Sequence, residues 1–151
     1  MIRGISFEVP QATADILWRI LQGADIQQLD WYVVQAQTEV WDRPFGTDFF
    51  TQAAYKGPAF SERIRNDHFI VFLKLQAYPH SENFQNISTY EAFVQSNCQL
   101  LLLVYDCSFV EVYAKSRDVL HAVFQNAVQN RYNNVAYITD SNDARTTMDI
   151  R

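Results

Sequence analysis

Two uninterrupted apolar runs, Leu100-Leu101-Leu102-Leu103-Val104-Tyr105 and Phe69-Ile70-Val71-Phe72-Leu73, constrain the fold of this chain more than any other feature. Both are far shorter than the roughly 20 residues that a membrane-spanning helix needs. Neither alternates with polar residues, so each reads as a strand buried on both faces. The chain therefore has to build a sheet whose middle is covered.

The flanking pattern supplies the rest of that sheet and its helices. Residues 2 to 8 alternate, with Ile5 and Phe7 inward, and read as a strand. Pro10 occupies a first-turn position of a helix whose stripe is Ile16, Leu17, Ile20 and Leu21 and which Gly23 ends. Leu29 to Trp41 reads as one long strand near a sheet edge, with Val34, Ala36, Thr38 and Val40 on one side and Gln35, Gln37 and Glu39 solvated on the other. Asp42 to Gly57, with Pro44 and Gly46, reads as a loop or as a loop holding a short helix near Phe49 to Tyr55. Pro58 starts a short helix through Arg65.

Ser88-Thr89-Tyr90-Glu91 has the form of a capping box, opening a helix that ends near Asn97. Asp106-Cys107-Ser108 turns the second apolar run back into Phe109 to Lys115 as a hairpin. Ser116 caps a last helix with the stripe Val119, Leu120, Val123, Phe124, Ala127 and Val128. Asn133-Asn134 reads as a turn, Val135 to Ile138 as a strand, and Thr146 to Ile150 as a further strand. This order predicts an α+β fold: a single mixed, largely antiparallel sheet of five to seven strands with about four helices packed on it, in one domain spanning residues 1–151.

Composition narrows the function classes. With 151 residues the chain can bury about 70% of its unfolded surface without a metal or disulfide staple. The net charge is -5, and the basic residues are scattered singly, so no stripe is available to neutralise a phosphate backbone. Nucleic acid is excluded on that ground, whereas a basic protein remains a fitting partner. Met1 to Pro10 lacks the apolar core of a signal peptide, and no run suits a membrane, which predicts a cytoplasmic protein. Cys98 and Cys107 fit that compartment as free thiols.

Nucleotide and hydrolase motifs are missing. There is no Gly-x-Gly-x-x-Gly, P-loop, zinc spacing or Gly-x-Ser-x-Gly elbow, and 4 glycines leave little for a phosphate-cradling loop. Nothing pairs Cys107 with His68, His80 or His121 as a nucleophile and base, so no catalytic residue, metal or cofactor is assigned.

Two constellations remain as candidate sites. One is the aromatic group Trp41, Phe45, Phe49, Phe50 and Tyr55, which suits a protein interface or, equally, a small core over one sheet face. The other is the polar segment Asp140-Ser141-Asn142-Asp143-Ala144-Arg145. It fails as a calcium loop, because Ala144 stands where a third oxygen ligand belongs and no closing Glu follows. It reads either as a turn whose Asp and Asn side chains bond their own backbone, with Arg145 paired to a carboxylate, or as a polar binding loop. In the second case Tyr78 and His80, at the exit of the Phe69 strand, join Asp140, Asp143 and Arg145 around a pocket.

Arg3-Gly4-Ile5-Ser6-Phe7-Glu8-Val9-Pro10, Leu75-Gln76-Ala77-Tyr78-Pro79, the run from Cys98 to Val104 and the stretch from Tyr137 to Thr146 together resemble a family of small uncharacterised proteins from Bacillus-type bacteria, defined as a domain of unknown function. The resemblance runs nearly end to end and is weakest between Asp42 and Gly57. It implies a small bacterial protein and carries no activity or catalytic residue with it.

Three functional expectations follow. The first is a non-enzymatic interaction or regulatory module that binds a protein, basic in keeping with the acidic surface, through the Trp41 to Tyr55 aromatics. The second is a small-molecule binder or hydrolase-like enzyme with its pocket at the Asp140–Arg145 turn. The third is a homodimer joined through the edge strand Val33 to Val40.

Overall fold

The computed structural model describes residues 1–43, 45–81 and 83–150. Among them are eight strands and four α-helices, in the order β1 (Ile2–Glu8), α1 (Ile16–Ile20), β2 (Asp30–Val33), β3 (Glu39–Asp42), β4 (Ala54–Tyr55), α2 (Gly57–Arg63), β5 (His68–Tyr78), α3 (Tyr90–Gln95), β6 (Leu100–Tyr105), β7 (Phe109–Ala114), α4 (Arg117–Gln129) and β8 (Asn133–Thr139). The strands form one sheet in the spatial order β4-β2-β5-β6-β7-β1-β8. β3 pairs with the other end of β5, and every pairing among the described residues is antiparallel. The architecture is therefore α+β with one sheet, but of eight strands rather than five to seven, and antiparallel rather than mixed.

The two apolar runs lie side by side at the centre, with Leu73 opposite Val104 and Ala77 opposite Leu100. Both faces of β6 are buried. Leu100, Leu102 and Val104 enter one core with Leu17 and Ile20 of α1, Phe60 of α2, and Leu120 and Val123 of α4. Leu101 and Leu103 enter a second core with Phe93 of α3, Ile87 and Met148. At about 25 cal/mol per Å² of apolar surface, this two-sided burial explains why β6 tolerates no polar residue. β5 behaves differently: its fully buried part is Leu73 to Tyr78, which includes Lys74 and Gln76, while Phe69, Val71 and Phe72 are only half-buried.

Local capping follows the sequence with one shift. Ser116 Oγ accepts the Val119 N–H at 3.2 Å, as expected for the last helix. The cap of α3 is Thr89 rather than Ser88, its Oγ1 accepting from Ala92 at 3.1 Å. The Ser88 hydroxyl is engaged elsewhere, its Oγ accepting Asn86 Nδ2 at 3.2 Å. The β6–β7 hairpin forms as predicted, with Tyr105 opposite Phe109 and with Asp106 and Cys107 at φ 49° and 66°.

Other expectations are corrected. Leu29 to Trp41 is not one strand: β2 and β3 are separated by a 3₁₀ turn, Gln35–Gln37. Alternation misled there because Gln37 is buried, with its amide bonded to Asp149, rather than solvated. The first helix is shorter than its apolar stripe, covering Ile16–Ile20 only. Asn133 and Asn134 open β8 rather than turning the chain; Asn134, at φ 56°, coincides with a register shift against β1. Residues 146–150 form no ladder and run as an irregular arm, bent at Thr146 and Met148, over the second face.

The long segment after Asp42 contains β4 and no helix among its described residues; Pro44 lies outside those residues. It covers the outer edge of β3, through Asp42 N–H to Thr47 O (2.7 Å) and Phe49 N–H to Val40 O (2.9 Å). On the inner strand, Val33 N–H reaches Ala53 O at 2.8 Å. The Val33–Val40 stretch is thus not an open sheet edge. No helix among the described residues is long and apolar enough to cross a membrane.

Candidate functional site

The second face of the sheet is covered unevenly, and register shows how. Val40 and Ile70 face the first core, so their neighbours Trp41 and Phe69, which pair with each other across β3 and β5, point to the second face. Leu73, Val104 and Val110 likewise face the first core, which turns Phe72, Tyr105 and Phe109 the same way as Trp41. Continuing the β5–β6 register from Leu73 and Val104 sets Phe72 opposite Tyr105, which is opposite Phe109. The result is a row of five aromatic residues across four strands.

This row is only partly covered. Trp41 is 43% exposed and Phe109 38% exposed, while Phe69, Phe72 and Tyr105 are half-buried. The rings pair within the row, Trp41 with Phe69 at 6.1 Å and Tyr105 with Phe109 at 5.6 Å between centroids. Two arginines lie over it: Arg43 is 5.6 Å from the Phe69 ring and Arg145 is 5.3 Å from the Tyr105 ring. Each is already neutralised, Arg43 by Asp67 (3.0 Å) and Arg145 by Glu111 (2.6 Å). Glu39, opposite Phe72, and exposed Asp106, at the hairpin tip, flank the row with no ion pair among the described residues. Among the described residues the uncompensated charge at the rim is negative.

Tyr105 also belongs to an adjoining cleft of about 400 Å³ lined by Ser6, Tyr105, Glu111, Ile138, Asp143 and Arg145. Glu111 anchors it. One oxygen accepts Arg145 Nε at 2.6 Å and the other the Tyr105 hydroxyl at 2.6 Å, and Tyr113 Oη donates at 3.3 Å. The single Tyr113 hydroxyl proton is shared between Glu111 and Asp143 Oδ1 (3.2 Å), while Arg3 Nη1 donates to Asp143 Oδ2 (3.2 Å) and Arg3 Nε to Asp140 Oδ1 (2.8 Å). Burial, then the adjacent Glu111, push the Tyr105 hydroxyl up to about 12. Burial opposes the Arg145 charge, but Glu111 outweighs it and holds the guanidinium above its ordinary value. The hydrogen bond from Arg3 holds the Asp140 carboxyl below the usual range. Every charge in the cleft is already paired within it.

The sequence candidates are distributed as follows. Asp140, Asp143 and Arg145 come together at this cleft. Tyr78 and His80 do not join them. Tyr78 is opposite Asp30 on β2, four strands from β8, a lateral distance of about 19 Å at ~4.8 Å per strand. It is buried with its hydroxyl bonded to Gln76 at 2.8 Å, while His80 is exposed, its Nδ1 3.4 Å from Asp30 Oδ2. Of the aromatic group, Trp41 and Phe45 are on the surface, whereas Phe49 (1% exposed) and Phe50 are in the first core. Tyr55 packs against that core and accepts the N–H groups of Thr51 and Gln52.

Asn142 has a separate task. Its Oδ1 accepts the Thr139 N–H at 2.7 Å and its Nδ2 donates to Tyr137 O at 3.1 Å, closing part of the outer edge of β8. The residues missed by sequence reasoning are Phe69, Phe72, Tyr105 and Phe109 in the row and Arg3, Glu111 and Tyr113 in the cleft. Glu111 carried a signal: it is the only charge in the strand Phe109–Ala114. Among the described residues no group of three or more His, Cys, Asp or Glu side chains is placed to hold a metal ion.

Comparison with known proteins places the chain. A family described as "Protein of unknown function (DUF2691)" matches residues 2–149, and the chain belongs to that family. It is 32% identical over 158 aligned residues to the uncharacterized protein YncE of Bacillus subtilis strain 168, an alignment covering 99% of this chain and 100% of the relative. No solved structure gives a significant match.

Proposed function

We propose that this member of the family is a non-enzymatic interaction module that docks a basic protein partner on the aromatic row of its second sheet face. The observation that carries this reading is the row itself: Trp41, Phe69, Phe72, Tyr105 and Phe109 form an apolar strip at the open end of the sheet, with two rings more than a third exposed. Aromatic residues at the centre of a patch supply most interface energy, and a charged rim sets the partner and the encounter rate. Here the rim charges without an ion pair among the described residues, Glu39 and Asp106, are acidic, in line with the net charge of -5. Phe45, 79% exposed, is a further solvated ring in the segment that follows β3. Cytoplasmic location fits the same reading.

A small-molecule site in the adjoining cleft is the second reading, favoured by its volume of about 400 Å³. It is the weaker of the two, because a ligand would have to displace an internal ion pair such as Glu111–Arg145. Titrating the purified protein with basic peptides, and comparing Trp41→Ala and Phe109→Ala with wild type, tests the first reading. Weaker binding in both variants at unchanged melting temperature supports it, and equal binding removes it.

A further inference from the structure

Between the aromatic row and α3, residues 147–150 cross the second face. One carboxylate holds them there. Asp149 Oδ1 accepts Lys74 Nζ from β5 at 2.9 Å, Gln37 Nε2 from the 3₁₀ turn at 2.8 Å and Asn86 Nδ2 at 2.8 Å. Lys74 is fully buried, and its remaining contact is the Ile87 carbonyl at 2.5 Å. Gln37 also reads the backbone of the segment, its Oε1 accepting the Ile150 N–H at 2.7 Å, and the Ser88 carbonyl takes the Met148 N–H. The Met148 side chain fills the second core beside Phe93. All of these donors and acceptors lie on the body of the fold, and the residues leading to them from β8 form no helix or strand.

We propose that this groove is a receptor for a short bent peptide segment carrying a buried methionine followed by a carboxylate, filled in cis by residues 147–150 and open to the same segment of a second copy in trans. Two physical points support it. A buried lysine beneath a short arm is costly to desolvate, and only an occupant that brings a carboxylate to Nζ compensates it. The groove also recognises its occupant by an anchor pocket, two backbone contacts and one charge, which is how peptide grooves obtain specificity. Exchange of the arm between copies would reproduce every one of these contacts, the condition for domain swapping.

The test uses the full chain and a labelled peptide of sequence Thr-Thr-Met-Asp-Ile, blocked at both ends, read by fluorescence polarisation. Asp149→Ala, which loosens the resident arm, should bind the peptide at least tenfold tighter than wild type, whose own arm competes. A peptide with Asn in place of Asp should bind that variant at least tenfold more weakly, and adding Lys74→Met should erase the difference between the two peptides. A folded Asp149→Ala chain that binds both peptides equally, or neither, overturns the proposal. If Asp149→Ala does not fold, Ser88→Cys with Thr147→Cys is oxidised over a range of concentrations. Interchain disulfide rising with concentration supports exchange, and monomer alone at every concentration overturns it. The aromatic row is untouched in either experiment.

Discussion

Glu111 on β7 and Arg145, beyond the end of β8, are joined by two hydrogen bonds, Nε to Oε1 at 2.6 Å and Nη2 to Oε2 at 3.4 Å, with both side chains largely withdrawn from water. This pair closes the floor of the cleft against the aromatic row, since the same guanidinium lies over Tyr105. Arg145→Met leaves the Glu111 carboxylate with only tyrosine hydroxyls. The expected loss is about 2 kcal/mol, read from the urea midpoint at unchanged slope. An unshifted midpoint would mean that the pair contributes nothing net.

His68 predicts a pH dependence. Its Nε2 accepts the Leu17 N–H at 3.2 Å, so the proton is on Nδ1, which donates to the Asn66 carbonyl at 2.7 Å. Phe49 packs on the ring at 4.6 Å, and Arg43, Asp67 and Asp15 are the charged groups around it. Burial, more than any neighbouring charge, lowers its pKa, so the folded protein favours the neutral ring. The linked stability is fully present above the ordinary histidine value of 6.5 and is lost as pH falls below it. Thermal midpoints measured from pH 7.5 to 5 should fall more steeply for wild type than for His68→Gln; parallel curves would contradict this.

The two ends of the aromatic loop should respond oppositely to truncation. Phe49→Ala opens a core cavity and should cost about 3–5 kcal/mol. Phe45→Ala removes a solvated ring and should change stability by less than about 0.5 kcal/mol. Chemical denaturation of the two variants distinguishes core from surface directly.

Asn142→Ala uncovers Thr139 N–H and Tyr137 O on the outer edge of β8. An edge strand of seven residues without charge or proline then becomes a template for pairing. Sedimentation should show self-association of the variant at concentrations where wild type is unchanged. Identical sedimentation would show that the register shift at Asn134 protects the edge by itself.

How much of this was legible in the sequence depended on whether a side chain's partner was local. The Leu100–Tyr105 run announced a strand buried on both faces because each of its residues is apolar, and Ser116 announced a helix start because the N–H that its hydroxyl accepts, that of Val119, is only three residues away. Gln37 misled for the opposite reason: its partners, Asn86 and Asp149, are 49 and 112 residues distant, so it was indistinguishable from a solvated glutamine. The same holds for Arg3, whose carboxylates lie beyond β8. In the Asp140–Arg145 turn the local bond of Asn142 to its own backbone was legible, whereas the carboxylate that pairs with Arg145, Glu111, lies 34 residues away. The aromatic row stayed hidden because Phe69 to Leu73 looks like a strand buried on both faces, and only the sheet shows that its Phe69 end outruns the cover.

Capture from a lysate of the source cells, at low and moderate salt and with wild type beside a Trp41→Ala, Phe109→Ala double variant, tests the interaction role most directly. A docked basic partner predicts one stoichiometric protein that wild type retains at low salt and releases as salt rises, and that the folded double variant fails to capture at either. Retention of that partner by the double variant, or a blank capture by wild type at both salts, would contradict it.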